Sequence, residues 1–535
     1  MFFLALLIAG YAYFIFFLGQ ACLKQPVIKG MTGCFLSLLF FFLWQKRKKL
    51  KTGLKKFSSF LLTNKLALIS FVFLFFQAVV NLIGALGPEL SFDALWYHLT
   101  LPKIYLSQGR ISSFPGGLLY YSHLPQLTEM LYLGALVWQG EILAKIIHFL
   151  FGLGCLFCLY RLLKRFKPQL ALIGCLIFYS QLVVGWLSTT AYVDLSRTFF
   201  EILALDYFLS WLEKKDSCLL IKAGFLVGLA MAVKIAALFS LASFLLLIFI
   251  TDNFSKVKNL FIFLFFAFLP SLPWLIINFF KHKNPFYPIF TSWFFQTQAN
   301  GLSLEIWLKS RNLTSFLKVV LKTVFSKGDI LTPLILITLP LIIVNLPKNR
   351  KTRIVGCYFF LNFIFFFLTP LNYNRFLLPY TPAFIFLLIA SLKKPINKKQ
   401  TVRKIVYWTV FLVAGLNLIS RLIVNKKFLP VIFNQQSRKD FLAKNLNFKV
   451  NNFYDLDGWL GKNIKRTDRV LVIGSHNLFY LDHSFDHLSW AEKGNFYSHI
   501  LVQNCSLPAG FGKLPVVYSN QKTGIKVFKF EKELE

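Results

Sequence analysis

Two acidic and two basic residues are the groups in this sequence best suited to chemistry. They are Asp93 in GPELSFDALWYHLTLP, Asp194 in STTAYVDLS, Lys234 at the end of GLAMAVK and Arg375 in NYNRFLLPYTP. Each stands in or beside an apolar run, and a cation within a membrane span costs roughly 2.5–3.5 kcal/mol on insertion scales, so it usually has a partner or a task. A carboxylate can take the proton of an attacking hydroxyl or amine. Lys and Arg can hold the growing negative charge of a departing phosphate in a water-poor site. Two carboxylates and two cations on one face therefore suit group transfer from a phosphate-linked donor. Phosphate leaves without protonation, so no general acid is needed, unlike the acid-and-base carboxylate pair of glycosidases.

The stretch carrying Asp93, residues 87–126, also holds Tyr97, His98, Lys103, Arg110, His123 and four prolines. It reads as short interfacial helices and turns. Each candidate has a plainer reading. Asp93 can cap an interfacial helix, and Asp194 can cap the helix that starts near Ser196. Tyr97 and His98 can belong to an aromatic belt, Lys234 can snorkel to headgroups, and Arg375 can pair with lipid phosphate. His282 is kept as a substrate-binding candidate, although it, Lys281 and His123 read first as solvated loop residues. Asp455 and Asp457 in YDLDGWL read as turn formers.

What must position these groups is a membrane-embedded helical frame. Of 535 residues, 56% are hydrophobic and only 15% charged, and mean hydropathy is +0.60. A soluble chain of this length carries many more charges. Apolar segments lie near 2–20, 28–45, 65–86, 141–160, 169–187, 197–212, 217–233, 235–251, 259–280, 330–346, 353–370, 376–392 and 405–424, about thirteen spans. Residues 127–139 are apolar but too short to span, and are expected at the interface. The run 2–18 lacks a preceding basic residue and a convincing cleavage region, so it reads as a membrane helix and not a signal peptide.

The formal net charge of +37 comes from Lys and Arg clustered between apolar runs, which is a topology signal and not a nucleic-acid one. With the N-terminus inside, the thirteen spans put the basic loops 45–56, 161–167, 255–258, 347–353 and 393–404 all on the cytoplasmic side. The opposite side then receives Asp93, Asp194, Lys234, Lys281, His282 and Arg375, the long loop 281–329, and everything after about residue 425. Seven of eight cysteines lie in or beside apolar runs, so no disulfide framework follows, and Cys155 and Cys158 read as small core residues.

Residues 425–535 are polar in texture. DRVLVIG at 468–474 reads as a buried strand, followed by FYLD, PVVY and IKVFKF, which suggests a small α/β domain. The glycine after the first strand lacks the spacing of a dinucleotide fingerprint. The domains expected are thus 1–64, an N-terminal hairpin with a basic loop; 65–424, a transmembrane core with outer loops 87–126 and 281–329; and 425–535, extracytoplasmic.

The order of FDALWYHLTLP, YVDL, GLAMAVK, NPFYP and NYNRFLLPYTP resembles that of the GT-C fold membrane glycosyltransferases. The likeness is to the branch with protein O-mannosyltransferases and the lipid A aminoarabinose transferase, over roughly residues 65–392. The tail with RVLVIG and FYLD resembles the periplasmic domain of bacterial relatives. The resemblance implies a polytopic α-helical plasma-membrane enzyme that takes a sugar from a polyprenyl-phosphate donor and passes it, with inversion, to a lipid, glycan or protein acceptor on the outer face. It implies Asp93 and Asp194 as the acidic positions and Lys234 and Arg375 as donor-phosphate cations. Many relatives carry a second acidic residue beside the first. Here the neighbours are Phe92 and Ala94, with Glu89 four positions earlier. That departure leaves a divalent metal at Asp93 and Asp194 an open question.

A transporter or flippase of lipid-linked saccharides would also use outer cations, but its ionisable groups would fall mid-membrane. A scaffold that only presents residues 425–535 would have no need of the four charged positions.

Overall fold

In a computed structural model the chain is described at residues 1–114, 117–251, 255–288, 312, 314–319, 334–346, 349–368, 374–392 and 400–534. The first helices are α1 (Phe2–Ala21), α2 (Gln25–Gln45), α3 (Arg47–Thr63) and α4 (Lys65–Leu86). After α4 comes the polar stretch, with one π-helical turn at Ala94–His98 and α5 (Thr100–Gln108). Then follow α6 (Leu127–Gln139), α7 (Glu141–Lys164), α8 (Ala171–Tyr179), α9 (Leu182–Leu187), α10 (Asp194–Lys214), α11 (Ser217–Val233) and α12 (Leu238–Thr251). The remaining long helices are α13 (Lys256–Phe268), α14 (Leu272–His282), α15 (Leu334–Asn345), α16 (Arg350–Leu368), α17 (Thr381–Ser391) and α18 (Gln400–Asn425).

Local chemistry sets the ends. Asn64 accepts a hydrogen bond from the Ala67 amide and starts α4, and Asp216 does the same for α11 through Cys218. Gly109, at φ 67°, takes the left-handed conformation that closes α5. Pro270 and Pro273 flank the break between α13 and α14, where the axis bends by 72°.

Where its residues are described, each apolar segment of the sequence falls on a helix or a helix pair. By length and composition, six helices among the described residues can cross a membrane singly, or seven if the bent pair α13–α14 is one broken span. Shorter apolar helices accompany them. This is a mostly helical, multi-pass membrane protein. At its centre runs α10, buried on all sides over most of its length between α7 and α11. In the short helix α6 the first nine residues, 127–135, are buried against neighbouring helices.

The C-terminal part begins with α19 (Arg438–Asn445) and carries one five-stranded mixed sheet. The strands β1 (Arg469–Ile473), β2 (Ser484–His487), β3 (Phe496–Gln503), β4 (Val516–Asn520) and β5 (Ile525–Glu533) lie in the order β2-β1-β3-β5-β4. The first three pair in parallel and the last two add antiparallel. Val470, Leu471 and Val472 are fully buried, as a strand covered on both faces requires. FYLD forms a loop and not a strand. Asp455 and Asp457 do form turns, accepting from the amides of Gly461 and Trp459. Most of the loop 281–329, expected on the outer side, and residues 371–373 lie outside the described residues.

Candidate active site

Asp93 sits just before the π-helical turn, in which the Leu99 amide reaches back five residues to the Ala94 carbonyl. Such turns are rare and recur at functional sites. The Asp93 carboxylate caps nothing, so the plain helix-cap reading of this residue does not hold. Its Oδ2 instead accepts from Arg375 Nη2 at 2.7 Å, and both side chains are 14% exposed. Asp194 is the first residue of α10 and likewise makes no side-chain cap. Its Oδ1 accepts from Lys234 Nζ at 2.9 Å. Lys234 stands in extended backbone between α11 and the turn that leads to α12, and so points back across α10.

The two ion pairs share one wall. The Phe376 ring lies 4.6 Å from Lys234 Nζ and 5.3 Å from the Arg375 guanidinium. The Tyr192 ring also lies against Arg375, at 5.1 Å, and its hydroxyl accepts from the Asp93 amide at 3.1 Å. Four groups from four distant segments thus meet around two aromatic rings. Asp194 Oδ2 is buried and has no hydrogen-bond partner among the described residues. A buried carboxylate oxygen left in that state is costly unless a ligand or water completes it.

The loops are fixed by residues whose part was not legible in advance. Glu89 is buried and bonds three amides: Oε1 accepts from Leu90 and Ser91 at 2.9 and 2.8 Å, and Oε2 from Ala191 at 2.6 Å. It fastens the Asp93 loop to the Asp194 turn. His148 on α7 works on the same turn, with Nδ1 donating to the Leu187 and Thr190 carbonyls and Nε2 accepting from the Leu195 amide. Tyr132 donates to the Tyr192 carbonyl. The only sequence signal for any of these was the position of Glu89 four residues before Asp93.

Tyr97 and His98 flank this cluster. Tyr97 stacks on Tyr121 with ring centroids 3.6 Å apart, and burial, then the nearby Asp93, push its phenol well above the usual range. His98 is buried, with Nδ1 on Glu129 Oε1 at 2.7 Å and Nε2 unpartnered among the described residues. His282 is elsewhere. Its Nε2 lies 3.2 Å from His123 Nδ1, and its ring stacks on Tyr287 at 4.0 Å. His123 is not a solvated loop residue, being 4% exposed and donating through Nε2 to the Phe114 carbonyl. Lys281 bonds Ser113 Oγ at 3.0 Å.

Asp93 and Asp194 each face a cation of the chain itself. Among the described residues no three His, Cys, Asp or Glu side chains gather to hold a metal ion.

Residues 131–277 match the family described as dolichyl-phosphate-mannose-protein mannosyltransferase. Comparison with curated proteins gives no match. Among solved structures, the chain is similar to ArnT from Cupriavidus metallidurans bound to undecaprenyl phosphate, with TM-score 0.59 and 12% identity, over 85% of this chain and 97% of that one. The apo form of the same protein gives TM-score 0.56 and 11% identity over the same shares. The archaeal oligosaccharyltransferase AglB from Archaeoglobus fulgidus gives TM-score 0.43 and 13% identity, over 81% of this chain and 69% of that one. The chain has the GT-C fold, and in its sequence over 131–277 and its architecture over most of its length it is similar to the GT-C membrane glycosyltransferases.

Proposed function

We propose that this protein is an inverting membrane glycosyltransferase that takes a sugar from a polyprenyl-phosphate donor on the outer face of the plasma membrane. One observation carries the reading: two ion pairs, Asp93–Arg375 and Asp194–Lys234, share the wall made by Phe376, and Asp194 keeps an oxygen unsatisfied among the described residues. A phosphate bears the same charge as the carboxylates and competes for the same cations. When it enters, Arg375 and Lys234 turn to it, and the Asp93 carboxylate is released as a base.

The acceptor O–H or N–H then gives its proton to Asp93. The bond from acceptor to anomeric carbon forms as the carbon–oxygen bond to phosphate breaks, and the electron pair leaves with the phosphate. Attack opposite the leaving group inverts the anomeric centre. Arg375 and Lys234 hold the charge that develops on the leaving oxygen. Tyr97 and His98 border the acceptor side, while His282 lies with His123.

ArnT was solved with undecaprenyl phosphate bound, which supports a lipid-phosphate carrier here by likeness of fold. The spacing of basic loops supports about thirteen spans, a cytoplasmic N-terminus, a transmembrane core over 65–424 and an extracytoplasmic part from about 425. Cysteine accessibility at Lys51→Cys and Glu533→Cys tests that orientation, with position 51 protected from outside and position 533 labelled. The activity is tested by incubating purified protein with a panel of polyprenyl-phosphate sugars. Consumption of one of them with release of polyprenyl phosphate is expected, and a panel left intact in the presence of acceptor-containing membranes contradicts the reading.

A further inference from the structure

A cavity of about 540 Å³ lies between α5, the start of α7, α19 and the loop 479–482. That size falls within the roughly 300–1,000 Å³ of small-ligand clefts. We propose that it binds the neutral, polyhydroxylated part of the acceptor, a glycan segment, next to the Asp93 loop. The proposal rests on the transfer reading above and adds to it the class of acceptor.

Four of the five charged side chains that line the cavity stand in two pairs, the fifth being Lys439. Lys103 Nζ lies 2.7 Å from Asp482 Oδ1, and Arg438 Nη2 lies 2.6 Å from Glu141 Oε1. Paired charges offer an anion little net attraction, but they present donors and acceptors side by side, as sugar hydroxyls require. Asp482 remains 65% exposed and Arg438 54% exposed on their side chains, so their outward edges are free to bond. Aromatic surface stands beside them: Tyr454 and Tyr480 meet edge to face at 5.8 Å, and Arg438 covers the Tyr480 ring at 5.5 Å. Leu106, Leu136 and Leu442 add apolar lining. A sugar ring has this same mixed character, with C–H faces and a polar rim.

The cavity wall is joined to the acidic loop on both sides of Asp93. Tyr480 donates its hydroxyl hydrogen to the Glu89 carbonyl at 2.8 Å, and the Phe479 amide donates to the Leu95 carbonyl. Lys103 ties down the same wall through the Phe479 and Leu481 carbonyls, at 2.7 and 3.0 Å. A glycan held here therefore lies one loop away from the proposed base, and its position is coupled to that base through the backbone.

The test is a glycan array of neutral, phosphorylated and uronic-acid oligosaccharides, probed with the purified full-length protein and two variants, Asp482→Asn and Tyr454→Ala. Neutral glycans should bind the wild type and bind each variant about tenfold more weakly, the value of one hydrogen bond to a charged group. Asp482→Asn keeps the shape of an exposed side chain, so it reports binding even if Tyr454→Ala folds poorly. Binding of no glycan, of anionic glycans only, or binding unaltered by Asp482→Asn overturns the proposal. Because the array needs no donor, neutral-glycan binding by a protein that consumes no lipid-phosphate sugar would overturn the transfer reading alone.

Discussion

Helix α10 carries two ion pairs built for opposite ends. At its first residue, Asp194 meets Lys234 through one oxygen only, and the second is left buried without a partner among the described residues. Two turns further along, Glu201 is saturated. Its Oε1 accepts from Arg197 Nε at 2.7 Å, and its Oε2 from Ser240 at 2.5 Å and Tyr358 at 3.3 Å. Arg197 also donates to the Tyr380 hydroxyl at 2.6 Å. Both carboxylates are buried, so burial of the acid does not distinguish the pairs. The difference is in what each still lacks. A closed network holds helices together, whereas an open one costs stability until something arrives to complete it.

The largest effect expected is at Asp93, on the open side. Asp93→Asn keeps the size and can still accept from Arg375, but it cannot take a proton. Transfer should fall about a hundred- to ten-thousand-fold, the usual worth of a general base, with thermal stability little changed. Near-normal transfer would remove Asp93 from the mechanism and leave its pair with Arg375 as scaffolding.

The closed side should answer in stability. Arg197→Leu strands Glu201 in the bundle and should cost about 3–5 kcal/mol, read as a lowered thermal midpoint. The fraction that folds should transfer at a rate within a few-fold of wild type. A stable Arg197→Leu protein with abolished transfer would erase the distinction between the two pairs.

Next come the cations of the open pairs. Arg375→Ala and Lys234→Ala should each lower kcat/KM for the donor about ten- to a hundredfold, as loss of a charge-assisted hydrogen bond to phosphate does. Unchanged donor kinetics in both would restore the snorkelling and lipid-pairing readings of these side chains.

A smaller effect belongs to His123, outside the open cluster. Burial first, and the neighbouring His282 next, push its imidazole down to about 4 from the usual 6.5. The unfolded chain therefore takes up a proton at higher pH than the folded one. The stability that the neutral ring provides is present above about pH 6.5 and is lost as pH falls toward 4. The drop in thermal midpoint between about pH 7 and pH 5 should be larger in the wild type than in His123→Asn. Equal drops would show that the His123–His282 contact does not govern acid sensitivity.

These contrasts also explain what the sequence could reveal. Asp93, Asp194, Lys234 and Arg375 stood out because a charge against an apolar background is conspicuous, and Lys234 and Arg375 ran against the positive-inside bias as well. Their pairing was not visible, since residues 93 and 375 are far apart and meet only through the fold. Glu89 and Glu129 were hidden for a related reason: their partners are backbone amides from residue 191 and a histidine on another segment. His282 was grouped with the outer charges by side of the membrane alone, and side does not fix distance. The helical frame was read segment by segment because apolar runs of this length have few other uses. In the C-terminal part, β3 was missed because FYSHILVQ mixes polar and apolar residues, while FYLD has the composition of a strand but is held as a loop by Lys103.

The claim that most needs testing is that the open pairs part to receive a phosphate. The direct measurement is native mass spectrometry of the full-length protein in nanodiscs, comparing retention of undecaprenyl phosphate with that of undecaprenol, which has the same chain and no phosphate. The account predicts preferential retention of the phosphate lipid by wild type and by Asp93→Asn, and loss of that preference in the Lys234→Ala/Arg375→Ala double variant. Equal retention of the two lipids by the wild type, or an undiminished preference in the double variant, would contradict it.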